Sequence, residues 1–344
     1  MKVVVTGGAG YVGSVVSAHL LAAGWEVTVL DKLIYGGESL LGLLGNPRFR
    51  LITGDVRDPD SLRRALAGST AVVHLAAVVG EAACAVDPES AWSINLDGTR
   101  QTLAVATELG LDRVIFVSTC SNYGISAPDL LADETFPLKP LSGYAESKVE
   151  AEKLVLENSS LARGCVLRFA TICGLSPRMR FDLLVSDMAR ASALGEPIRI
   201  FAPDAWRPFL HVLDAARAIA HCLSVSFDGL GGNVFNVVGE NYQKRGLVEL
   251  VRRHYPGAPV EVADREPDLR DYRVNGERIR SHLGFLPRHT VEQAYLETAA
   301  AVAAGVFHDP HWAGHSAVPL AATRLRMVLS ETSDVGIPSP TPLR

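Results

Sequence analysis

Five cysteines among 344 residues, none in a CxxC spacing, are too few and too scattered for a disulfide framework or a zinc knuckle. Cys84, Cys120, Cys165, Cys173 and Cys222 are therefore expected as reduced thiols, which fits a cytoplasmic setting. No stretch approaches the ~18 consecutive apolar residues of a membrane span. Met1 runs straight into Lys2-Val3-Val4-Val5, which leaves no room for the charged and apolar regions of a signal peptide. A basic excess is missing too. The 33 Lys and Arg face 38 Asp and Glu, a formal charge of −5, so nucleic acid is not an expected partner. No metal is expected either. His308, His311 and His315 lie close together, but Pro310 breaks the helix that would align them.

What remains is ordinary globular composition, 48% hydrophobic and 21% charged, in a length that suits about two domains. Short β-branched runs alternate with helical patterns over the first two-thirds. Strands are predicted at Val3–Thr6, Glu26–Leu30, Phe49–Thr53, Ala71–Leu75, Val114–Ser118 and Cys165–Phe169. Between them the pattern predicts helices at Val12–Ala23, Pro59–Leu66, Leu96–Leu109 and Ala145–Asn158. Strands this apolar must be covered on both faces, so the expected class is α/β with a doubly wound parallel sheet. After residue 170 the pattern loosens. Leu210–Leu223 reads as a helix and Val234–Val238 as a strand that rejoins the sheet. The expected division is therefore 1–170 plus about 208–240 for the sheet domain, and about 171–207 plus 241–313 for a discontinuous substrate domain. Residues 314–344 form an extension whose Pro-rich end is expected to be loose.

The first strand leads into Thr6-Gly7-Gly8-Ala9-Gly10-Tyr11-Val12-Gly13 and a helix. Gly7 suits a tight turn, Gly10 lets backbone approach a pyrophosphate, and Gly13 permits close helix packing. The helix N-terminus supplies free N–H groups and positive dipole for that anion. Asp31 ends the next strand, placed to accept from ribose hydroxyls and to repel a 2′-phosphate, so NAD is favoured over NADP. Lys32 beside it pulls the other way. Asp55-Val56 follows the third strand, where a carboxylate can meet adenine or cap the next helix.

Tyr144-Ala-Glu-Ser-Lys148 opens a helix, and the spacing of four puts Tyr144 and Lys148 on one face. An ammonium there favours phenolate, so Tyr144 is expected to take a proton from a substrate hydroxyl as hydride leaves the same carbon. Thr119, at the end of the fifth predicted strand, is placed to donate to the reacting oxygen.

The chain resembles the extended short-chain dehydrogenase/reductase family, which includes UDP-galactose 4-epimerase and dTDP-glucose 4,6-dehydratase. The resemblance rests on TGGAGYVG (6–13), Asp31, Asp55-Val56, HLAA (74–77), Asn95, STCSNYG (118–124), YAESK (144–148), RPFLHVLDAARA (207–218), REPD (265–268) and LGF (283–285). It implies a Rossmann-type domain with a smaller nucleotide-sugar domain, a homodimer formed through a four-helix bundle, and Thr119, Tyr144 and Lys148 as the catalytic triad. Around the cofactor NAD it implies Gly7, Gly10, Tyr11, Val12, Gly13, Asp31, Lys32, Asp55, Val56, Leu75, Ala76, Ala77 and Asn95. For a nucleotide-diphosphate sugar it implies Arg207 and Arg265 on the diphosphate and Asp268 on the ribose. Guanidinium forks suit paired phosphoryl oxygens. Arg178 is a weaker diphosphate candidate, and Glu81, Cys120 and Ser121 are further substrate candidates.

Family dehydratases carry Asp-Glu after the threonine, for the elimination of water, where this chain has Cys120-Ser121. The favoured reading is an NAD-dependent nucleotide-sugar epimerase acting at C4. The alternatives are a 4,6-dehydratase, a keto-sugar reductase, and a 3,5-epimerase using Cys120.

Overall fold

A computed structural model describes residues 1–125, 130–158, 164–226, 229–263 and 270–317. In chain order its strands are β1 (Lys2–Thr6), β2 (Glu26–Asp31), β3 (Phe49–Thr53), β4 (Ala71–His74), β5 (Arg113–Thr119), β6 (Leu131–Ala132) and β7 (Gly164–Phe169). They continue with β8 (Thr171–Cys173), β9 (Ile198–Phe201), β10 (Trp206–His211), β11 (Val234–Val237), β12 (Glu240–Gln243), β13 (Val260–Ala263) and β14 (Arg273–Val274). Seven of them form one parallel sheet in the order β11-β7-β5-β4-β1-β2-β3, a Rossmann-like arrangement.

Strand alternation distributes the core. Val3 and Val5 of β1 point to one face with Val16 and Leu20 of the Tyr11–Ala22 helix and Ile219 of the Val212–Ser224 helix. Val4 points to the other, with Leu62, Leu103, Ala106 and Val155 from three further helices. Both faces are buried, which is why the strands lack polar alternation. The order reverses at β1, between β2 on one side and β4 on the other. A crevice opens there at the carboxyl edge, and Gly7, Asp31, Leu75 and Thr119 all lie at or just beyond strand ends on that edge.

Segments beyond residue 170 gather into a second cluster. Val185 and Met188 of the Leu184–Leu194 helix, Ile198 and Ile200 of β9, Leu247 and Val251, and Tyr295 of the Val291–Ala303 helix pack together. β11 returns to the edge of the large sheet beside β7. The expected strand and helix boundaries hold to within two residues, and two of the shifts have a local cause. The helix expected from Leu210 starts at Val212, because β10 runs on to His211, whose Nδ1 caps the helix by accepting from Leu213 N–H at 3.1 Å. The helix expected from Leu96 is preceded by a π turn over Ser93–Asp97 and becomes regular at Gly98. Among the described residues no helix is long and apolar enough to cross a membrane. The Pro-rich end lies outside the described residues.

Candidate functional site

The glycine turn is built by close approach. Gly7 has φ +71°, and a Cβ there would lie 2.8 Å from the Ala76 backbone. A Cβ on Gly13 would lie 2.2 Å from the Gly7 carbonyl oxygen. Gly10 caps the first helix, so that helix's N–H groups face the crevice. Tyr11 is buried and donates to Gly174 O at 2.6 Å, while Ser176 Oγ donates to Tyr11 O at 2.7 Å, so the turn is tied to the chain after β8. Val12 packs beside it between two apolar clusters.

Asp31 accepts from Ala9 N–H at 2.9 Å and from Leu33 N–H at 2.8 Å. Burial raises its carboxyl, and those two backbone donors oppose the rise. Lys32 turns to Asp55 at 3.0 Å, and Arg57 grips the same carboxylate at 2.7 Å. Burial works against ionisation of Asp55, but Arg57 and Lys32 overcome it and hold the carboxyl at about 2. Asp55 is not the helix cap. Asp58 is, accepting from Asp60 and Ser61 N–H ahead of Pro59. Val56 is buried, and a Cβ on Gly98 would lie 2.7 Å from its Cγ2.

After β4, the N–H groups of Leu75 and Ala76 are held by Thr6, and Ala77 follows, half-buried like them. His74 behind them is neutral: burial lowers it to about 3, and its ring nitrogens meet Thr6 Oγ1 at 2.8 Å and Thr99 Oγ1 at 3.2 Å. Asn95, in the π turn, binds both polar groups of Val78, at 2.8 and 3.1 Å, and donates to Ser147 Oγ at 3.0 Å. It thereby fastens the loop after β4 to the Gly143–Glu157 helix that carries Tyr144 and Lys148. Glu81 is exposed at the start of the Glu81–Val86 helix.

The threonine lies near the tyrosine, close enough for Thr119 to act on the Tyr144 phenol. Burial pushes this phenol well up and the Cys84 thiol adds to it, while Arg180, Thr119 and Arg270 pull it down. Lys148 is itself almost fully buried, its Nζ 4.1 Å above the Phe116 ring, and burial lowers it to about 7. The cations that act on Tyr144 therefore include two that spacing did not single out for it. Arg180 is held by Asp182 at 3.0 Å, and Arg270 donates to Ser121 Oγ at 3.3 Å.

Behind the loop after β5, Glu152 accepts from Arg168 at 2.7 Å, from Asn122 Nδ2 at 2.7 Å and from Ser118 Oγ. This buried carboxylate fixes the end of β5 to the helix bearing Tyr144. The expectation that Cys120 reaches substrate is corrected. Thr119 Oγ1 accepts from Ser121 N–H and starts a tight turn, which drives Cys120 into the core. There it is fully buried beside Tyr123 and Tyr272, its thiol donates to Arg168 O, and burial pushes it far up. A thiol so placed is no proton donor to a sugar.

Arg178 is buried over the Tyr35 ring at 4.4 Å. Arg207, also buried, donates to the carbonyls of Trp206 and Arg270, and so shapes the backbone that presents Arg270 to Ser121. Arg265 and Asp268 lie outside the described residues. His311 accompanies Glu196 at 2.8 Å and His315 lies edge-on to Phe181 at 5.3 Å.

The glycine turn, the free N–H groups of the first helix and the carboxylate at the end of β2 fit a dinucleotide. Comparison with known proteins agrees. Residues 3–239 match the NAD-dependent epimerase/dehydratase family. A dTDP-glucose 4,6-dehydratase of Streptomyces griseus is 32% identical, over 86% of this chain and 92% of its own. A UDP-glucose 4-epimerase of Corynebacterium glutamicum is 30% identical, over 87% of this chain and 96% of its own. The dTDP-glucose 4,6-dehydratase DesIV of Streptomyces venezuelae, solved with NAD bound, superposes with a TM-score of 0.78 at 29% identity, covering 87% of this chain and 96% of its own.

Proposed function

The chain belongs to the NAD-dependent epimerase/dehydratase family, and from that premise we propose that it is a nucleotide-sugar epimerase acting at C4. The observation that carries this reading is the loop after β5. Eliminating water requires an acid and a base next to the reacting carbon. Here the two residues after Thr119 are a thiol turned into the core and a neutral hydroxyl, and the Glu152 carboxylate behind them is bound by Arg168. Redox at C4 alone asks for none of these groups.

When bound, NAD⁺ would supply the hydride acceptor. Tyr144 takes the proton of the C4 hydroxyl, and Thr119, beside that phenol, holds the same oxygen. Arg180 and Arg270 stabilise the phenolate while it holds no proton. Lys148, from its buried position, would orient the cofactor ribose. Tyr144 would return the proton to the same oxygen when the 4-keto sugar, turned over in the pocket, is reduced from its other face. Ser121, Arg178, Arg207, Arg265, Asp268 and Glu81 belong to the binding of the nucleoside diphosphate and the sugar. The same proposal includes a homodimer through the Gly98–Glu108 and Gly143–Glu157 helices, beside which Trp92, Leu96 and Val149 line a groove of about 370 Å³.

The test is incubation with a panel of nucleotide sugars, resolved by NMR, alongside absorbance of the reduced cofactor. A C4 epimer formed with no net change in NADH supports the proposal. A 4-keto-6-deoxy product, or stoichiometric oxidation of NADPH, refutes it. Tyr144→Phe should lower turnover by roughly 10³-fold or more while NAD stays bound. Near-normal turnover in that variant refutes the assigned base.

A further inference from the structure

The chain past the Val291–Ala303 helix comes back to the crevice. Phe307, Trp312 and His315 form an aromatic group against Phe181, with Phe181 5.1 Å from Phe307 and 5.3 Å from His315. Phe181 N–H donates to His315 O at 2.8 Å. The next two residues are held more closely still. Ser316 O accepts from Arg178 Nη2 at 2.6 Å, Ala317 N–H donates to Asp182 Oδ2 at 3.3 Å, and Ala317 O accepts from the Tyr35 hydroxyl at 2.6 Å.

These partners come from both sides of the crevice. Tyr35 lies four residues beyond Asp31, on the loop after β2, while Arg178 and Asp182 come from the chain after β8. Ala317 is 7% exposed and belongs to an apolar cluster with Val78, Ala83 and Cys84, against which Tyr144 and Ile34 also pack. One five-residue segment thus touches the loop that follows the ribose-side carboxylate and joins the cluster around the reacting phenol. Both contacts fall on Ala317, which thereby joins the loop after β2 to the chain after β4, across the crevice.

We propose that residues 313–317 are a clasp that completes the NAD site. They close the open side of the crevice, bound the space in front of Tyr144, and must lift before the dinucleotide can leave. Such a clasp suits a cofactor that is reduced and reoxidised in place. The segment lies beyond the matched region 3–239, while Tyr35, Arg178 and Asp182, which hold it, lie within that region.

The experiment measures release of NADH, by its fluorescence, after mixing the loaded protein with excess NAD⁺. Four proteins are compared: the full chain, a chain ending at Ala317, a chain ending at His311, and Tyr35→Phe in the full chain. Ending at His311 removes the segment with its four backbone polar contacts, to Phe181, Arg178, Asp182 and Tyr35, and should speed release about tenfold or more. Ending at Ala317 should leave release within about twofold of the full chain, since the segment stays. Tyr35→Phe deletes one hydroxyl and keeps the ring under Arg178, so release should quicken about three- to tenfold even if the shortened chain fails to fold. Unchanged release in Tyr35→Phe, or equal release from the two shortened chains, overturns the clasp. So does slower release, or a higher turnover on ending at His311, since either marks the segment as a plug. The readout is cofactor retention, so it stands whichever sugar the protein acts on.

Discussion

Burial of Lys148 is costly for folding, and the cost can be measured. Its ammonium is buried above Phe116, and burial takes its pKa from 10.5 to about 7. Between those two values the unfolded chain binds more protons at this position than the folded one, so folding stability rises with pH across that window. With the unfolded lysine at 10.5 and the folded one at about 7, linkage puts the destabilisation at about 4 kcal/mol at pH 7 and about 1 kcal/mol at pH 9.5. Lys148→Met keeps most of the volume, places a thioether against the ring and carries no charge. In cofactor-free protein unfolded by urea, the variant should be the more stable at pH 7, by up to about 4 kcal/mol. That advantage should shrink by about 3 kcal/mol by pH 9.5. Parallel stability curves for the two proteins, or a variant weaker than the parent at pH 7, would refute the reasoning. Turnover should fall in the same variant, separating the role of the lysine in catalysis from its effect on folding.

Gly13→Ala sets a methyl 2.2 Å from the Gly7 carbonyl oxygen, so the turn must open; calorimetry should find stability down by about 1–3 kcal/mol and NAD affinity down by at least about tenfold. Glu152→Gln leaves Arg168 buried with no carboxylate, and thermal unfolding should report a loss of about 3–5 kcal/mol, partly recovered by adding Arg168→Met. Asp31→Ser removes the carboxylate that meets Ala9 and Leu33 N–H; titration should show preference for NAD over NADP falling by about tenfold or more.

Much of this molecule can be read from local pattern, because its sheet is built from local rules. Each predicted strand is an apolar run between turn signals, and the glycine spacing records close approaches that only glycine allows. The pair Tyr144 and Lys148 is legible since a helix fixes residues four apart on one face. Legibility fails where a side chain's setting is decided by distant chain. Spacing suggests that Lys148 activates Tyr144, but burial makes that lysine a weak cation, and Arg180 and Arg270, 36 and 126 residues from Tyr144, act on the phenol. Cys120 sits next to Thr119 in sequence, yet one hydrogen bond from Ser121 N–H to Thr119 Oγ1 sends the two side chains to opposite sides of the loop. Asn95 looks like plain helix polarity until the π turn aims its amide at Val78 and Ser147. In each case the local signal names the residue and the tertiary contact decides its job. The same holds for Ala317: an alanine in a tail carries no signal of its own, and only Tyr35, Arg178 and Asp182, brought together by the fold, make it part of the site.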